Sequence, residues 1–141
     1  MKTFTIKSDG GARGNPGPAA IGFVVYLSDL LIYQHKEYIG EATNNIAEYK
    51  AIIKALWWVQ KNYKTFSKDD PIQVSCLLDS NLVVNQLNGN YKIKQPHLQE
   101  LANQAFQIIQ SSPFSISFNH IRREKNTQAD ALLNQALDSQ T

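Results

Sequence analysis

Apolar and polar residues alternate at the start of the chain. Phe4 and Ile6 are interleaved with Thr5 and Lys7, a period of two that predicts a strand over 3–8. Asp9-Gly10-Gly11 reads as the turn that ends it, and Gly14, Pro16, Gly17 and Pro18 extend the loop. A second strand is expected over 20–27 and, after a tight Ser28-Asp29 turn, a third near 31–38. Three strands joined by short loops make an antiparallel meander. The spacing changes at Thr43. Ala47, Ala51, Ile52, Ala55, Leu56 and Val59 recur at steps of three and four, which predicts an amphipathic helix to about Tyr63 with Thr43 or Asn44 as its N-cap.

A polar loop ending at Pro71 precedes a fourth strand over 72–78 and a short helix over 81–87, stopped by Asn88-Gly89-Asn90. Pro96 opens a longer helix with Leu98, Leu101, Ala105, Ile108 and Ile109 on its apolar side. The alternation of Phe114, Ile116 and Phe118 predicts a fifth strand over 114–121, and the last helix spans roughly 127–137. The order βββαβ(αα)βα describes one α/β domain over residues 1–141, with a five-stranded mixed sheet whose first, fourth and fifth strands are parallel.

Composition narrows the class. At 141 residues, with 43% apolar and 18% charged, the chain is built for a packed core rather than for disorder. No apolar run approaches the ~18 residues of a membrane span, and the alternating N-terminus offers no secretory leader. The lone Cys76 can form no internal disulfide, which fits a reducing cytoplasm; a monomer is also expected. A net charge of +2 permits a nucleic-acid partner without announcing one.

Four acids carry candidate chemistry. Asp9 follows the first strand and Asp79 the fourth. If those strands are parallel neighbours, both carboxylates sit at their carboxyl ends, where open α/β sheets bind ligands. Glu48 lies on the core-facing stripe of the first long helix, an unusual place for an unpartnered acid. Asp130 opens the last helix. Like charges brought this close repel, and a divalent cation resolves the conflict. Oxygen ligands without His or Cys suit Mg²⁺, with Mn²⁺ as a substitute, and two such ions support phosphodiester hydrolysis. Each acid alone also has an ordinary reading: Asp9 as a turn residue, Asp79 as a helix cap, Asp130 as a first-turn acid.

The motifs Asp9-Gly10-Gly11 with Asn15-Pro16-Gly17, Thr43-Asn44-Asn45-Ile46-Ala47-Glu48-Tyr49, Asp79-Ser80-Asn81-Leu82-Val83 and Arg123-Glu124-Lys125-Asn126-Thr127-Gln128-Ala129-Asp130 together resemble ribonuclease H type 1 along nearly the whole chain. The resemblance implies a ribonuclease H-like fold and hydrolysis of the RNA strand of RNA–DNA hybrids, leaving 5′-phosphate and 3′-hydroxyl ends. It implies two Mg²⁺ ions on Asp9, Glu48, Asp79 and Asp130. Gly10, Gly11, Asn15, Thr43, Asn44 and Asn45 match positions at the substrate, and Glu48 lies where the family meets the RNA 2′-hydroxyl. Thr43 and Asn44 equally fit as N-caps.

Two departures shape the expectation. Many bacterial relatives carry a basic insertion before the third helix, and here only 89–95 fills that stretch, with Lys92 and Lys94 as remnants. Weak affinity and steep salt dependence should follow. His120 matches the spacing of a mobile histidine in some relatives, but it continues the face of Phe114, Ile116 and Phe118, so it is expected to be partly buried in the strand. Arg123 is the candidate for contacting the scissile phosphate; its ordinary reading is a surface arginine paired with Glu124 or another acid nearby. His35 and His97 join no constellation. Of Trp57 and Trp58, one should pack inward and the other face out. A catalytically silent binding module and a nuclease of another branch of this fold are the competing functions.

Overall fold

The computed structural model describes residues 1–140. Strands β1 (Lys2–Ala12), β2 (Gly17–Leu27) and β3 (Leu30–Ala42) form the meander. Helix α1 (Asn44–Phe66) follows, then β4 (Ile72–Leu78), α2 (Asn81–Leu87), α3 (Pro96–Ser111), β5 (Ser115–His120) and α4 (Thr127–Asp138), with a single 3₁₀ turn at Arg123–Lys125. The sheet order is β3-β2-β1-β4-β5. β1 runs antiparallel to β2 and parallel to β4, and β4 runs parallel to β5, as expected.

The two faces of the sheet are covered unequally. Phe4, Ile6, Phe23, Val25, Val74, Cys76 and Leu78 face α1, α2 and α3 and meet Tyr49, Ile52, Leu56, Val59, Val83, Leu98 and Leu101 in the main core. On the other face α4 alone lies over β2 and its neighbours, and Ala20, Leu133, Ala136 and Leu137 make a smaller cluster. Trp57 is exposed, while Trp58 stacks on Tyr33 at 4.2 Å, so the adjacent tryptophans divide as their helical positions require. Among the described residues no helix is long and apolar enough to cross a membrane.

The first strand differs from expectation. Asp9-Gly10-Gly11 is not a turn: β1 continues through it to Ala12, pairing Asp9 with Gly22 and Gly10 with Ile21. The glycines serve close packing instead. A Cβ on Gly10 would stand 2.2 Å from the Ala47 carbonyl carbon, so α1 lies directly on the strand there. A Cβ on Gly22 would stand 2.4 Å from the Ala129 carbonyl oxygen, so α4 lies on the opposite face. β3 also runs further than its alternation suggested, to Ala42.

Candidate active site

Ser8 is the last β1 residue paired with β4, opposite Leu78. Asp9 therefore stands just beyond the end of β4, where Asp79 leaves the sheet. Gly10 and Gly22 let α1 and α4 close in from the two faces and carry Glu48 and Asp130 toward that point. Asp9 and Glu48 are buried. Ligand oxygens of Asp9, Glu48 and Asp79 all lie within 4.8 Å of one another. Asp130 lines the same cleft, about 400 Å³ in volume, alongside Gly10, Gly11, Asn44, Asn45 and Arg123.

This acid cluster is electrostatically costly without a counter-ion. Burial pushes the Asp9 carboxyl from 3.8 up to about 7; its hydrogen bond with Glu48 opposes the rise, and the charges of Asp79 and Asp130 add to it. Burial drives Glu48 well above 4.5, and the charge of Asp9 drives it further. One oxygen of Glu48, Oε2, is buried with no hydrogen-bond partner. An orphaned carboxylate oxygen on a residue grouped with two other hard oxygen donors is a setting a divalent cation satisfies, and the residues present fit one.

The chain matches the family described as "Reverse transcriptase-like" over residues 7–136. The structure of LC11-RNase H1 in complex with an RNA/DNA hybrid superposes with a TM-score of 0.87 at 41% identity, covering 96% of this chain and 97% of that one. The chain belongs to the ribonuclease H family. "Ribonuclease HI" of Halobacterium salinarum is 39% identical over 131 residues, 92% of this chain and 62% of its own length. The "Bifunctional protein Rv2228c" of Mycobacterium tuberculosis is 40% identical over 141 residues, 95% of this chain. The chain spans only 35% of that longer relative.

In this cleft the ordinary readings of the acids divide: Asp130 is an acid of the first turn of α4, as its ordinary reading has it, and the other two fail. Asp79 does not cap α2: Ser80 does, its hydroxyl accepting from Val83 N–H at 3.2 Å. Thr43 caps α1, accepting from Ile46 N–H at 3.2 Å. Thr43 and Asn15 do not line the cleft but brace its wall. Asn44 N–H donates to Asn15 Oδ1 at 2.9 Å, and Ala12 N–H donates to Asn44 Oδ1 at 2.8 Å. These two bonds pin the β1–β2 loop to the start of α1. Arg123 is exposed at the cleft rim. The Glu124 pairing that was its ordinary alternative is made by Arg122, at 3.9 Å.

His120 corrects an expectation. It is exposed, at the last residue of β5, two positions beyond the buried Phe118. Its Nε2 lies 3.2 Å from the Asp79 backbone oxygen. Asn126 was not singled out by sequence reasoning. Its buried Nδ2 donates to Ser8 O at 2.8 Å and to Asp79 Oδ2 at 3.3 Å, tying the start of α4 to both carboxylate-bearing strands. Its position four residues before Asp130 was the one available signal. His35 is not an isolated surface residue either. Its Nε2 lies 2.8 Å from Glu37, which also pairs with Lys54 at 3.3 Å.

Proposed function

We propose that this chain is an endoribonuclease that hydrolyses the RNA strand of RNA–DNA hybrids, leaving 5′-phosphate and 3′-hydroxyl ends. The observation that carries the reading is the convergence of Asp9, Glu48 and Asp79 within 4.8 Å, with Glu48 Oε2 buried and unpartnered, in a chain of this family. Asp9, Glu48, Asp79 and Asp130 would hold two Mg²⁺ ions, or Mn²⁺ in their place. When bound, these supply Lewis-acid stabilisation of the phosphodiester and a water nucleophilic at neutral pH.

The remaining work falls to the protein's own groups. Burial and mutual repulsion make Asp9 and Glu48 hold protons more tightly than ordinary carboxyls when no cation is present, and both must be ionised to act as ligands. Arg123 would contact the scissile phosphate; its exposure at the cleft rim supports that reading. Asn44 and Asn45 open α1 beside the acids and suit a strand phosphate, because N–H groups at a helix start attract anions. Glu48 adjoins the RNA 2′-hydroxyl, the group that separates RNA from DNA. The retention of all four acids supports catalysis over a silent binding module.

The test is a Mg²⁺-dependent assay on labelled RNA–DNA hybrid, duplex DNA and duplex RNA. Cleavage confined to the hybrid's RNA strand is expected. Intact hybrid in both Mg²⁺ and Mn²⁺ would defeat the reading.

A further inference from the structure

Asp130 stands apart from the compact trio. The ligand oxygens that meet within 4.8 Å belong to Asp9, Glu48 and Asp79, while Asp130 lies half-buried across the cleft on α4. A ligand outside the trio must be held in place by something else. One turn further along α4, Asn134 Nδ2 donates to the Asp130 backbone oxygen at 2.9 Å and to its carboxylate Oδ1 at 3.3 Å. Asn134 Oδ1 in turn accepts from Arg13 Nη2 at 3.3 Å. Arg13 comes from the β1–β2 loop, 121 residues away in sequence, and the same Nη2 donates to Asp138 Oδ1 at 2.6 Å.

We propose that Asn134 is the positioning residue for Asp130, and that Arg13, anchored on Asp138, fixes which way its amide points. This rests on the reading of the cleft as a metal centre. The polarity of the chain of bonds enforces the orientation. A guanidinium only donates and a carboxylate only accepts, so an amide between them has one arrangement that satisfies both ends. The backbone oxygen and Oδ1 of Asp130 already draw the amide nitrogen toward them, and Arg13 secures that orientation by holding the amide oxygen on the far side. With Arg13 in place, one oxygen of Asp130 is held by the amide and the other remains for a cation. Such partners behind a metal ligand are typically worth about 10- to 100-fold in metal affinity. The same bonds tie the β1–β2 loop to α4 across the mouth of the cleft, so the loop that braces Asn44 also steadies the fourth acid.

The experiment is calorimetric titration of Mn²⁺ into the substrate-free wild type, Asn134→Ala, Arg13→Ala and the double variant, with melting temperatures measured alongside. Asn134→Ala should weaken Mn²⁺ binding about tenfold while keeping its melting temperature, since the side chain is half-buried on the helix surface. Arg13→Ala should weaken it less, and should add nothing in the Asn134→Ala background. The Mn²⁺ concentration giving half-maximal hybrid cleavage should rise in step, with the saturated rate largely recovered. Wild-type Mn²⁺ affinity in Asn134→Ala, or additive losses in the double variant, would overturn the relay while leaving the metal centre standing. No binding by the wild type would overturn the metal centre and the relay with it.

Discussion

Asp9 is buried at the end of a strand pair, hydrogen-bonded to Glu48 and close to Asp79. Its carboxyl is held up at about 7 against 3.8, so the folded, metal-free protein binds that proton more tightly than the unfolded chain does. The contribution to stability is full below about pH 4 and is lost as pH climbs through about 7. In chelator the melting temperature should therefore fall as pH rises through this window. Mg²⁺ should remove most of the fall, and Asp9→Asn should flatten it while reducing hybrid cleavage by at least about a hundredfold. A profile that rises through the window, or ignores Mg²⁺, would contradict the electrostatic account.

Strand parity and helix spacing made Asp9, Glu48, Asp79 and Asp130 legible, because each shares a face or an edge with the regular pattern of its element, even though β1 runs on past Asp9. Asn126 and Asn134 were not legible. An amide's role depends on which acceptor it faces across the fold, and local patterning carries no trace of that. His120 failed for a related reason: alternation reveals which face a residue shares, not where along that face burial ends.

The elements were legible in kind and less so in extent. β4 and α2 appear with the expected bounds, since each is closed by a turn signal whose glycine or proline lies outside the element. β1 was cut short because Gly10 and Gly11 imitate a turn. Gly10 and Gly22 instead permit two helices to approach Asp9 from opposite faces. Gly22→Ala should show this directly. Its Cβ would meet Ala129 O at 2.4 Å and Leu132 Cβ at 2.8 Å, both on α4. The helix must retreat, at a cost of about 1–3 kcal/mol in chemical denaturation. Activity should fall further than stability alone explains, because Asp130 rides on the displaced turn. Unchanged stability and activity would mean that close packing of α4 is not what places the acid.

For the molecule as a whole, a net charge of +2 and an exposed pair, Lys92 and Lys94, would be the modest electrostatic means of holding the proposed polyanion. Sequence could state this charge, but not that Arg122 rather than Arg123 takes Glu124 and so leaves Arg123 at the rim. With few phosphate contacts the affinity should be low. It should still fall on the order of a hundredfold between about 50 and about 200 mM salt for a footprint of about four phosphates. A binding titration with a shallow slope would count against this footprint.

The central claim is that the four acids form a metal centre that cuts the RNA of a hybrid. The direct test is titration of Mg²⁺ into metal-free protein with a labelled RNA–DNA hybrid, comparing the wild type with Glu48→Gln. Saturable, Mg²⁺-dependent RNA cleavage that leaves 5′-phosphates and is lost in the variant is the expected result. Cleavage that persists in chelator, or survives Glu48→Gln unchanged, would contradict it.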